Sequence, residues 1–131
     1  MRILVVEDDF VSRLVMQKML SVYGNCDVAV NGKEAVEAFS LAYIENNQYD
    51  LICLDIMMPE MDGKEALSII RQKEKEWNIP PKNEVKIIMV TALDTPKDVV
   101  GTFYNGGCSS YLVKPITKEK IIKSIKDLSL I

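Results

Sequence analysis

An apolar run, Leu51-Ile52-Cys53-Leu54, ends in Asp55, and Pro59 follows four residues later. A run of this length reads as a buried strand. An acid at its carboxyl end points into the crevice where open α/β sheets keep their sites. Three further segments close in the same way. Glu7-Asp8 closes Ile3-Leu4-Val5-Val6, Thr91 closes Ile87-Ile88-Met89-Val90, and Lys114-Pro115 closes Tyr111-Leu112-Val113. Three carboxylates, a hydroxyl and an amine at strand ends suit a metal-assisted phosphoryl-acceptor site.

The carboxylates Glu7, Asp8 and Asp55 repel when brought together unless a cation neutralises them. Mg²⁺ is the natural cation, because it binds one or two carboxylates, keeps waters and accepts phosphate oxygens. A single strand-end acid is usually only solvated; three from neighbouring strands are unlikely to converge by accident. A carboxylate that attacks phosphorus gives an acyl phosphate, and such transfer depends mostly on positioning and charge neutralisation. Lys114 offers a mobile point charge suited to phosphate. Thr91 offers a hydroxyl donor, and the small Ala92 beside it leaves room for the group. Alone, a Lys or Thr at such a place would be an ordinary surface residue. The bond before Pro115 is a candidate cis peptide, since cis is accessible chiefly before Pro.

Positioning these groups requires strand ends on one edge. The chain alternates strand and helix five times. Strands are expected at 2–7, 26–30, 50–55, 85–91 and 110–113. The first helix is expected over 10–23, with Val11, Leu14, Val15, Met19 and Val22 at helical spacing. Asp9 suits its N-cap and Gly24 the position past its end. The second helix follows Asn31-Gly32 and ends at Asn46-Asn47. The third opens at Met61-Asp62-Gly63 and cannot pass Ile79-Pro80-Pro81. Thr95-Pro96 starts a fourth, stopped by Gly106-Gly107. A fifth starts at Thr117, with Ile121, Ile122, Ile125 and Leu128 on one face. Strands alternating with helices predict an α/β fold with a parallel sheet covered on both faces.

With 131 residues, 48% of them hydrophobic, one domain spanning 1–131 with no output domain is expected. A formal net charge of −3 supplies no electrostatic reason to bind nucleic acid or an anionic membrane. No apolar run is long enough for a bilayer, and a strand beginning at Ile3 leaves no room for a signal peptide. The expected location is cytoplasmic. Cys26, Cys53 and Cys108 lack metal-ligand spacing, and their odd number argues against a disulfide framework. Without histidine, the chain cannot itself be a phosphohistidine donor.

Together the motifs resemble the receiver domain of two-component response regulators, near in size to single-domain chemotaxis-type regulators. The matching pieces are Ile3 to Asp8, Asn31-Gly32-Lys33-Glu34-Ala35, Asp55-Ile56-Met57-Met58-Pro59-Glu60-Met61-Asp62-Gly63, Thr91-Ala92, and Gly107-Cys108 with Tyr111 to Pro115. Each is weak alone, and all in order are specific. The resemblance implies a doubly wound, flavodoxin-like (βα)5 fold with strand order 2-1-3-4-5. It implies that Asp55 accepts a phosphoryl group from a phosphohistidine on a sensor histidine kinase or a histidine phosphotransfer protein. Asp8, Asp55 and the backbone carbonyl of Met57 would hold Mg²⁺ (or Mn²⁺), with Glu7 acting through water. Thr91 and Lys114 would contact the phosphoryl group, and Tyr111 would be the aromatic switch coupled to Thr91. The surface of the fourth helix, fifth strand and fifth helix would bind a downstream protein. A monomer is expected, with dimerisation on phosphorylation left open.

Three positions depart from the family pattern. Asp9 adds a third consecutive acid, which we assign to capping. Cys108 stands where Ala is usual. Met57 and Leu93, which in the family flank the phosphoryl group, are bulky and apolar and cannot orient an attacking water, so slow self-dephosphorylation is expected. In the fourth helix, Val99, Val100, Gly101 and Thr102 are weak helix formers. They suit either plain core packing or a segment that shifts with the site. Two other functions share parts of the motif set. A haloacid-dehalogenase-like phosphatase also uses an Asp nucleophile, Mg²⁺ and a Lys, but places a second Asp where Met57 stands. An inactive receiver-like interaction module would usually have lost an acid, the Thr or the Lys.

Overall fold

The computed structural model describes residues 1–56, 58, 61–92 and 107–131. Five strands, β1 (Arg2–Val6), β2 (Asn25–Ala29), β3 (Leu51–Asp55), β4 (Lys86–Thr91) and β5 (Ser110–Val113), form one sheet in the order β2-β1-β3-β4-β5. Every pairing is parallel. The described helices are α1 (Phe10–Leu20), α2 (Gly32–Ile44), α3 (Gly63–Glu76) and the C-terminal α4 (Lys118–Asp127), with a 3-10 turn at Pro81–Asn83. The helix expected from Thr95-Pro96 lies outside the described residues. Among those described, no helix is long and apolar enough to cross a membrane.

The central strands are apolar on both faces because both are covered. Leu4, Val6, Ile52, Leu54, Ile87 and Met89 pack with Ala35, Phe39, Leu67 and Ile70 of α2 and α3. The alternate residues Ile3, Val5, Leu51, Cys53, Ile88 and Val90 pack with Met16, Leu20, Ile121 and Ile125 of α1 and α4. Cys53 is therefore core filler, and burial pushes its thiol up to about 12.

Side-chain caps define where helices begin. Asp9 accepts from the Ser12 N–H, Asn31 from Glu34, Asp62 from Glu65 and Thr117 from Lys120, each satisfying an N–H that the helix leaves unpaired. The apolar spacing in the first helix did not identify its buried face. Met16 and Leu20 face the sheet, while Val11, Leu14, Val15 and Val22 are exposed. α1 also ends at Leu20 rather than at Tyr23. Gly24 does not have the positive φ of a left-handed cap, which among the described glycines only Gly107 has. It is glycine for space: a Cβ would sit 2.1 Å from the Met1 carbonyl oxygen. Gly63 serves the site similarly. A Cβ on it would lie 2.4 Å from the Asp55 carbonyl oxygen, so its absence lets α3 start directly against the end of β3.

One buried acid lies far from the strand ends. Glu74 of α3 is 1% exposed. It accepts from Arg71 Nη1 at 2.6 Å and from the Val85 N–H at 2.8 Å. Arg71 also donates to the Gly107 carbonyl, so this pair joins α3 to the start of β4 and the approach to β5. Glu74→Ala would strand both donors. We expect a loss of about 3 kcal/mol in chemical denaturation, with Glu74→Gln losing less because it still accepts from Val85. Equal stability of the alanine variant and wild type would contradict this role.

Candidate functional site

Parallel strands bring their carboxyl ends to one edge, and β1 lies directly between β2 and β3. Val6 is in register with Leu54 and Asp55 with Val90. Glu7 and Asp8 therefore follow the end of β1 beside Asp55. One oxygen from each of Glu7, Asp8 and Asp55 lies within 4.8 Å of the others. Glu7 and Asp55 are buried, whereas Asp8 is exposed. From β5, Lys114 brings its ammonium 3.1 Å from Glu7 Oε1 and 3.6 Å from Asp55 Oδ2. The backbone turns there through a cis Lys114-Pro115 peptide.

Burial leaves the Glu7 carboxyl short of partners. Its Oε2 is buried without a hydrogen bond among the described residues. Burial first, and then the Asp55 carboxylate, push its pKa up to about 7, against the opposing pull of Lys114. For Lys114, burial works against the charged form, but Glu7 and Asp55 outweigh it and raise its pKa. A buried carboxylate oxygen without a donor, within a set of hard oxygen ligands, fits a small divalent cation. The Met57 carbonyl expected to complete the set lies outside the described residues.

A pH dependence follows. The folded-state pKa of Glu7 is raised, so ionising it costs stability as pH rises from its ordinary value through about 7. A cation must displace that proton. We expect Mg²⁺ affinity to fall by about tenfold per pH unit below 7 and to level off above it. Calorimetry in buffers of different ionisation enthalpy would detect the released proton. PH-independent affinity with no proton release would refute the assignment.

Thr91 is 1% exposed, and its hydroxyl donates to the Leu112 carbonyl of β5 at 3.3 Å. Tyr111 on β5 is 37% exposed. A cleft of about 620 Å³, lined by Val11, Val15, Met19 and Ile116, opens onto Glu7, Asp55 and Lys114 and forms the apolar wall of the site. Sequence reasoning missed Arg13. Its guanidinium donates to the Glu7 carbonyl at 2.8 Å and the Asp8 carbonyl at 3.4 Å, holding the acidic loop from the first turns of α1. The only available signal was a cation six residues after Glu7.

A family model described as the response regulator receiver domain matches residues 3–126. The "Probable transcriptional regulator ycf29" of Porphyra purpurea is 39% identical over 127 residues, which are 96% of this chain and 55% of that protein. The "Hybrid signal transduction histidine kinase B" of Dictyostelium discoideum is 41% identical over 132 residues, 95% of this chain and 6% of that protein. This chain thus spans about half of one relative and a small part of the other. Among solved structures, the receiver domain of the histidine kinase CKI1 from Arabidopsis thaliana, complexed with Mg²⁺ and BeF3⁻, superposes with a TM-score of 0.82 at 27% identity, covering 99% of this chain and 90% of that one. The receiver domain of Ssk1, solved with the histidine phosphotransfer protein Ypd1 of Saccharomyces cerevisiae, gives 0.79 at 26% identity, covering 97% and 87%. On the match across nearly its whole length, the chain belongs to the response regulator receiver domain family of two-component systems.

Proposed function

We propose that this receiver domain is the phosphoacceptor of a two-component phosphorelay, with Asp55 as the residue phosphorylated. The observation that carries this reading is the Glu7, Asp8 and Asp55 carboxyl group with the Lys114 ammonium beside it. An Asp55 carboxylate oxygen attacks phosphorus, a P–O bond forms, and the P–N bond to the donor imidazole breaks. The imidazole nitrogen takes the electron pair. The donor is a sensor histidine kinase or a histidine phosphotransfer protein, a partner class represented by Ypd1 beside the similar Ssk1 receiver. Asp8 and Asp55, with the Met57 carbonyl, would hold Mg²⁺, and Glu7 would hold it through water. Bound there, Mg²⁺ would offset part of the negative charge of the carboxylates and the phosphoryl oxygens.

Lys114 then exchanges a carboxylate partner for a phosphoryl oxygen. Thr91 has one hydroxyl proton, now given to the Leu112 carbonyl. Donating it to the phosphoryl group instead would release a contact to β5, the strand that carries Tyr111. That exchange is our route from the site to a partner-binding surface on β5, the C-terminal α4 and the helix expected from Thr95-Pro96. The module signals through this surface rather than by turning over a substrate.

Intact mass after incubation with Mg²⁺ and acetyl phosphate tests the reading. One added phosphoryl group that requires Mg²⁺ is expected. The reading fails if neither acetyl phosphate nor a phosphorylated histidine phosphotransfer protein leaves an adduct.

A further inference from the structure

Lys120 is out of place by its own electrostatics. It lies in the first turn of α4, where the unpaired N–H groups make a cation unfavourable. Its ammonium leaves the helix and donates to two backbone carbonyls, Val113 at 2.9 Å and Pro115 at 3.0 Å. These carbonyls bracket Lys114. On the other side, the Lys114 N–H donates to the Thr91 carbonyl at 2.8 Å. Pro115 has no N–H, so the strand ladder cannot anchor the chain beyond Lys114. Carbonyls are what this turn has left to be held by, and Lys120 takes two of them. Its own backbone N–H meets Thr117 Oγ1, so the grip comes from a capped helix start.

We propose that Lys120 is a positioning residue, which holds the backbone of Lys114 so that the Lys114 ammonium reaches the Glu7 and Asp55 carboxylates. The functional half of this proposal rests on the phosphoacceptor reading. A Lys side chain has four rotatable bonds, so small freedom at its Cα becomes large freedom at Nζ. Lys120 donates to the carbonyls on either side of Lys114, so its effect passes through Lys114. The acids expected to bind Mg²⁺ stand just past β1 and at the end of β3, outside the turn it grips.

The test compares wild type with Lys120→Met, which keeps the stem but has no donor, and Lys120→Arg, whose guanidinium can still span two carbonyls. Backbone amide exchange at Lys114 reads the anchor directly and needs no phosphorylation. We expect exchange at least about tenfold faster in Lys120→Met, which loses both charged hydrogen bonds, and restored in Lys120→Arg. The rate of phosphorylation by acetyl phosphate at saturating Mg²⁺ should fall several-fold in Lys120→Met, with Mg²⁺ affinity no weaker. In a Lys114→Ala background the Lys120 substitution should add nothing, because coupled residues are non-additive. Unchanged amide exchange overturns the anchor. Faster exchange with an unchanged rate, or an equal slowing in the Lys114→Ala background, overturns the positioning role. If wild type takes up no phosphoryl group, the phosphoacceptor reading and this role fall together, while exchange still decides the anchor.

Discussion

Asp55→Asn will take up no phosphoryl group from acetyl phosphate or a phosphohistidine donor, a complete loss where wild type gains one. The amide oxygen is a poor nucleophile, and the other acids cannot replace it. Asp8 is exposed, and the buried Glu7 carboxyl is held by Lys114 at 3.1 Å. The loss will not come from unfolding. Asp55 is among the causes that push Glu7 up, so removing its charge relieves a buried repulsion, and Lys114 keeps its 3.1 Å bond to Glu7. Denaturation should find the variant at least as stable as wild type, with the Glu7 pKa lower. An adduct that persists in Asp55→Asn would move the phosphoacceptor elsewhere.

Once formed, the phosphorylated state will persist for minutes or longer without a phosphatase. Hydrolysis requires a water in line with the breaking P–O bond and a group to polarise it. At the two positions that the family resemblance puts beside the phosphoryl group stand Met57 and Leu93, both outside the described residues, whose side chains carry a thioether and an isobutyl group. Neither can hold a water by a strong hydrogen bond. A positioned acid or base contributes about 10²–10⁴-fold to such a step. Met57→Glu introduces a carboxylate of similar length, and we expect it to shorten the half-life by about 10², the low end of that range. Decay is followed by intact mass after the donor is removed, so slower phosphorylation in the variant does not disturb the comparison. A wild-type half-life of seconds would show that some other group orients the water.

How much of this was legible in the residues depended on whether the cause was local. β1, β3 and β4 could be read because their residues are nearly all buried, which leaves unbroken apolar runs. Asp9, Asn31, Asp62 and Thr117 begin helices through contacts three residues away, a distance that sequence spacing can express. The buried face of α1 could not be read. Val11, Leu14 and Val15 make as regular a stripe as Met16 and Leu20, and which stripe meets the sheet depends on how the helix is docked. Gly24 suggested a helix end, but its cause is the close approach of Met1. Arg13 and Lys120 act through backbone carbonyls, so no complementary residue type marked their roles.

By itself the sequence determined which groups stand at the strand ends, since Asp55, Thr91 and Lys114 follow or end their apolar runs through covalent connection alone. It also determined, through the alternation of strand and helix, that those ends share one edge of a parallel sheet. Only the tertiary structure decided that Lys114 lies 3.1 Å from Glu7 across 107 residues of chain. Only packing decided that one Glu7 oxygen is buried with no donor among the described residues. Distance across a sheet is set by register, and the cost of a charge by the atoms that exclude water around it. Both belong to the assembled fold rather than to any residue within it.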